Sequence, residues 1–132
     1  MNYKIIAIVL CFFSVSALTA LVDGDLDPTF GTGGFATILS ADFGGGTVYA
    51  RSIAIQQDGK IIVCVWQDAG ESGIFLVRLT TTGALDTSFN AGGGTPGIVP
   101  VTTDTTIVRA GGIVLDAQDN IIITGKQQVG PD

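Results

Sequence analysis

Asp23-x-Asp25-x-Asp27 is the first group of residues along the chain that could do chemistry. Alternating carboxylates supply hard oxygen ligands, and a calcium loop of the EF-hand kind starts in this way. That template then needs Gly at its sixth position and Glu at its twelfth, where this chain has Pro28 and Gly34. The three aspartates therefore read first as turn and cap residues, with calcium as the weaker candidate. Asp68 and Glu71 form a second acidic pair in a Gly-containing loop. A glycosidase holds two carboxyls roughly 5–9 Å apart across a cleft, and a solvated loop is the simpler reading. Gly31-Thr32-Gly33-Gly34-Phe35-Ala36 fits G-x-G-x-x-A, but a turn precedes it, a strand comes after it, and position 51 is Arg. A dinucleotide site needs a strand before, a helix after and an acid about 20 residues on, so these read as turn glycines. Histidine is absent and cysteine occurs twice. That excludes a Ser-His-Asp triad, a Cys-His dyad, His-ligated metals, a Cys₄ site and a disulfide framework. Neither a cofactor nor a firm metal site is expected.

The elements that position these residues begin after a targeting segment. Lys4 gives a positive start, residues 5–18 are apolar apart from two serines, and Ala17 and Ala20 are small. This order is that of a cleaved secretory signal at residues 1–20, cut after Ala17 or Ala20. The apolar run of about 14 residues is short of the roughly 20 that span a bilayer. No stable membrane span is expected. Cys11 comes after Leu10, where lipoprotein processing wants a small residue, so it belongs to the signal core. The remaining cysteine, Cys64, lies in the apolar run 61–66 and reads as a buried small hydrophobe. A net charge of −6 with six scattered basic residues is a poor match for nucleic acid.

Beyond residue 20 the chain reads all-β. Short runs rich in Ile, Val and Thr alternate with Gly, Asp, Asn and Pro. Strands are expected near 35–39, 48–55, 61–66, 74–80, 97–102, 106–115 and 121–125. Asp58-Gly59 marks a hairpin turn, and residues 117–120 serve the same purpose later. Val48, Ala50, Ser52 and Ala54 alternate with Tyr49, Arg51, Ile53 and Ile55, which predicts two distinct faces. The continuous runs 61–66 and 121–123 predict strands covered on both sides. Trp66 and Tyr49 read as core or rim aromatics.

An internal repeat organises these strands. Gly24, Asp27, Phe30 and Gly33 recur 59 positions on as Gly83, Asp86, Phe89 and Gly92. Ile53, Ile55, Ile61 and Ile62 recur 60 positions on as Ile113, Leu115, Ile121 and Ile122. Gly34 and Gly93 keep the same pattern. Repeat one covers about 22–81 and repeat two about 82–132, both within the region 21–132. Recurrence gives Phe30 and Phe89 a packing role, and Arg78, inside an apolar strand, needs a carboxylate such as Asp27 or Asp86.

Leu26-Asp27, Phe30, Gly33-Gly34, then Gln56-Gln57-Asp58-Gly59-Lys60-Ile61-Ile62-Val63, then Val77-Arg78-Leu79 and Leu85-Asp86 closely resemble the delta-60 repeat. The second copy departs from it, with Asn90 in place of a Gly and residues 118–120 in place of Asp-Gly-Lys. The resemblance implies blades of an antiparallel β-propeller, chiefly in exported and surface bacterial proteins, with no shared catalytic residue. It places residues 50–55, 61–66, 74–80 and 97–102 as successive strands of one blade, and 109–115 and 121–125 in the next. A propeller takes about four to eight blades, and this chain supplies under two. The expectation is a piece of a longer protein, or an oligomer that completes the ring through exposed blade edges. The functional expectation is a non-enzymatic interaction scaffold. The alternatives are a calcium-dependent or carboxylate-based hydrolase fragment and a truncated product without a function of its own.

Overall fold

The computed structural model describes residues 24–68, 73–101 and 107–127, with the side chains of 107, 108 and 127 left aside. The targeting segment, Asp23, Glu71 and Thr106 lie outside these residues. Among the described residues six strands run in order: β1 (Val48–Ile55), β2 (Ile61–Gln67), β3 (Gly73–Leu79), β4 (Ile98–Pro100), β5 (Ile107–Leu115) and β6 (Ile121–Gln127). β1 to β4 form an antiparallel four-stranded sheet in chain order, and β5 and β6 form a second antiparallel pair. Both sheets are open, and the architecture is the propeller-like, all-β one the repeat predicts. Among the described residues no helix is long and apolar enough to cross a membrane.

Two apolar layers flank the first sheet. Ile62, Cys64, Trp66, Ile74 and Leu76 point to one face, where Ala110 and Ile113 of β5 meet them. Val65, Val77, Leu79 and Ile98 point to the other, under Phe43 of the chain that leads into β1. β2 is thus covered on both sides, as its unbroken apolar run requires. β6 departs from that expectation: Ile121 and Ile123 pack against the first layer, but Ile122 between them is exposed.

Residues 35–39 do not form the expected strand. Phe35 makes one bridge to Thr32, and the chain then runs irregularly into a 3-10 turn at Ser40–Phe43. Among the described residues no strand pairs with this stretch to complete a ladder. Its backbone turns locally instead, and Asp42 accepts a hydrogen bond from the Leu39 N–H at 3.1 Å. The turn buries Phe43 edge-on against Phe75, with ring centroids 5.3 Å apart.

The simple alternation expected for β1 is also corrected. The β1–β2 register slips between Ala50 and Ser52, leaving Arg51 as the extra residue. Ala50 pairs with Val65 but Ser52 pairs with Cys64, so Val48, Ala50, Ser52 and Ala54 do not share one face. A bulge inserts one residue and switches the rest of the strand to the opposite face. The same slip recurs in β5 between Ala110 and Gly112, 60 positions on. The repeat therefore preserves an irregularity of backbone as well as its strands.

Two departures in the second copy keep their turns. Asn90 sits at φ 56°, as does Gly31, its repeat counterpart, and Asp119 takes φ 61° where Gly59 has 81°. Asn and Asp enter the left-handed region more readily than other side chains. Repeat geometry thus survives loss of glycine at both places.

Candidate functional site

The signature residues scattered through repeat one converge on a single carboxylate, Asp86. β2 begins at Ile61, so the preceding turn delivers Lys60, whose Nζ lies 3.3 Å from Asp86 Oδ2. β3 carries Arg78, whose Nε donates to the same oxygen at 2.8 Å. The chain then doubles back through a bridge between Leu79 and Leu85, and the Asp86 N–H donates to the Arg78 carbonyl. Asp86 Oδ1 accepts from the Ser88 N–H at 3.0 Å and the Ser88 hydroxyl at 2.6 Å. Phe89 lies under the Arg78 guanidinium, 4.5 Å from the ring centroid. Spacing of the motif is explained by this node: a hairpin turn, a strand and a second turn each contribute one group to it.

The Ser88 hydroxyl and N–H, with Lys60 and Arg78 nearby, hold the Asp86 carboxyl well below the usual carboxylate range against the opposing effect of burial. Thr29 lowers the Asp27 carboxyl through its hydroxyl first and its N–H second. The geometry is a copy of the other: Asp27 Oδ1 accepts from the Thr29 N–H at 2.9 Å and its hydroxyl at 2.6 Å. Of the two candidates for Arg78, the structure brings Asp86 to it. Asp58 accepts from the Lys60 N–H at 3.0 Å and pairs with its Nζ at 3.3 Å, and the N–H contact chiefly lowers its carboxyl.

These shifts fix a pH dependence. A carboxyl whose folded pKa lies below its unfolded value near 3.9 stabilises the fold above that value. The contribution is lost as pH falls through the folded pKa. With no histidine in the chain, the melting temperature is expected to be flat between about pH 5 and 8 and to fall below about pH 4. Calorimetry across that range checks this, and a transition centred near pH 6 contradicts it.

The remaining sequence candidates stand apart from the node. Asp25 is exposed, and the described part of the Asp23–Asp27 stretch has Asp27 committed to Thr29. Among the described residues no three acidic, His or Cys side chains gather where they could hold a metal ion. Asp68 is exposed at the end of β2. Gly33 and Gly34 take positive φ, whereas Gly92 and Gly93 do not, so the second copy keeps these glycines without their conformation. Gly93 instead abuts the Asn90 side chain, which leaves no room for a Cβ. Phe30 packs on the second apolar layer and against Gly83, while Phe89 packs on the first. Cys64 is free and buried, and burial pushes its thiol up.

A second cluster joins the two aromatics singled out in the sequence, Tyr49 and Trp66, to two arginines that were not. Tyr49 stacks on Trp66 with centroids 5.2 Å apart, and the Arg51 and Arg109 guanidiniums lie 5.0 and 5.4 Å from the Trp66 ring centroid. Planar guanidiniums on an indole suit cation–π contact and can also receive a carboxylate. The bulge at Arg51 sets this arrangement, and hydrophobic alternation gives no sign of a bulge. A pocket of about 460 Å³ between the two motif turns is lined by Thr29, Thr32, Thr37, Thr82 and Leu85 among others, and by no charged side chain.

Fold and node together define a class: an all-β repeat of propeller-blade type. Residues 56–89, which hold the node, match the model of a family described as a domain of unknown function (DUF5122) beta-propeller. Searches of curated proteins and of solved structures returned no match.

Proposed function

We propose that this chain is an exported, non-enzymatic repeat scaffold of the delta-60 kind, acting through protein contacts. The observation that carries the reading is the node at Asp86. The charged residues that define the motif are engaged in joining two turns and a strand. Asp27 is engaged in the same way. Side chains spent on framework contacts favour a structural role over acid–base chemistry.

Two measurements test it. Expression of the full sequence in a secreting bacterium should give an exported product whose intact mass begins at Leu18 or Leu21. An unprocessed product retained in the cytosol overturns export. Millimolar calcium should shift the melting temperature by less than about 1 °C, because a ligand that does not bind the native state adds no stability. A rise of several degrees would restore Asp23, Asp25 and Asp27 as metal ligands and favour the calcium-dependent alternative.

A further inference from the structure

The two sheets meet by unlike faces. The first sheet presents Ser52, Ala54, Ile62 and Cys64, and their repeat counterparts in the second sheet are Gly112, Val114, Ile122 and Thr124. The second sheet answers with Ala110, Ile113, Ile121 and Ile123, whose counterparts in the first are Ala50, Ile53, Ile61 and Val63. At four positions the covering is reversed: Ile62 and Cys64 are buried where Ile122 and Thr124 are exposed, and Ala110 and Ile113 are buried where Ala50 and Ile53 are exposed, while Ile61 and Val63 are half-buried under the second apolar layer. Ile62 is 0% exposed and Ile122 51%, while Ile113 is 7% exposed and Ile53 62%. Val114 and Ile55 are likewise open. One end of the pair thus carries an uncovered version of the face that receives, and the other carries, along β1 at Ile53 and Ile55, the open edge of a version of the face that inserts.

We infer that the Val114–Ile122 face receives the Ile53–Ile55 face of a second copy of this chain, extending the stack head to tail. Repeat equivalence identifies the occupant, because the Ile53 face has the side chains and backbone bulge of the face already seen seated on Ile62. Unlike-face contacts of this kind close into rings or run on as open assemblies.

The seam between copies is weaker than the seam within one. Inside the chain, the Gln57 N–H donates to the Asp119 carboxylate at 3.1 Å and Gln57 Nε2 donates to the Ala117 carbonyl at 2.7 Å. The Ile113 N–H also donates to the Ser52 hydroxyl at 3.2 Å. Between copies the counterpart positions are Ala117, Gly59 and Gly112, which lack those side-chain groups. Assembly therefore rests on apolar contact and depends on concentration.

The inference extends the scaffold reading, and its test is separate: assembly is read by mass, export by the N-terminus. Light scattering on the chain expressed from its full sequence should show a discrete multimer at about 100 µM, toward the weak end of specific association. Ile122→Lys and Ile53→Lys should each give a folded monomer, with the near-ultraviolet signal of Trp66 retained. Mixed in equal amounts, they should form one heterodimer and no larger species, since each variant keeps the face the other lacks. Val114→Asp and Ile55→Lys replace them if either fails to fold. A monomeric wild type, variants that still assemble, or a mixture that stays monomeric overturns the inference. A monomer that is nonetheless exported leaves the scaffold reading standing.

Discussion

Asp86→Ala should lower the melting temperature by on the order of 10 °C, the largest loss expected from any single polar side chain here. The reason is the number of groups that lose their partner together. Arg78 sits in a buried strand, and its Nε would be left without its acceptor at 2.8 Å. Lys60 would keep only Asp58. The Ser88 N–H would be released and its hydroxyl would keep only the Arg78 Nη2 at 3.0 Å, loosening the turn that seats Phe89. Removing one partner of an engaged ion pair leaves an uncompensated charge, which costs more than the pair itself contributes. Asp86→Asn keeps the acceptor for Ser88 and should retain part of the stability. It should also flatten the acid limb of the pH profile, because the most strongly depressed carboxyl has gone. Asp27→Ala is the matched control: it loses the same Thr29 contacts and no cation, so its effect should be clearly smaller. Thermal unfolding of the three variants decides this, and equal losses for Asp27→Ala and Asp86→Ala would refute the node.

Much of this architecture is legible in the sequence, and the reasons differ by element. β1, β2, β3 and β6 are marked by β-branched runs between turn residues, and the repeat sets their order. Residues 35–39 carry the same composition and form no strand, because a strand needs a neighbour and composition says nothing of the neighbour. Charge together with repeat order narrows the Arg78 partner to Asp27 or Asp86. Choosing between them takes the reversal of the chain at Leu79 and Leu85, which brings only Asp86 alongside. Lys60 stands inside the recognised motif, yet its reach to Asp86 depends on how β2 leaves its turn. Tyr49 and Trp66 stand out in the sequence, but their meeting with Arg51 and Arg109 is illegible for a different cause. A bulge at Arg51 shifts register by one residue, and a period-two pattern reads straight through such a slip.

Ile62 and Ile122 make the sharpest comparison, since they occupy one repeat position in two surroundings. Ile62→Ala removes buried methyl and methylene groups from the layer between the sheets, among Cys64, Trp66, Ile74 and Leu76. Such truncations cost about 2–5 kcal/mol, with the higher values where the cavity cannot collapse. Collapse is hindered here because β2 is held on both edges by β1 and β3 and on its other face by the second apolar layer. Ile122→Ala, measured on dilute monomer, should stay within about 0.5 kcal/mol of the parent, as surface substitutions usually do. At concentrations where copies assemble, the same change should weaken association while leaving the monomer's unfolding midpoint in place. Urea unfolding at two protein concentrations separates the two effects. A cost for Ile122→Ala in dilute monomer as large as that for Ile62→Ala would mean that the outer face of the second sheet is already covered by this chain itself, and the assignment of an open receiving face would fall with it.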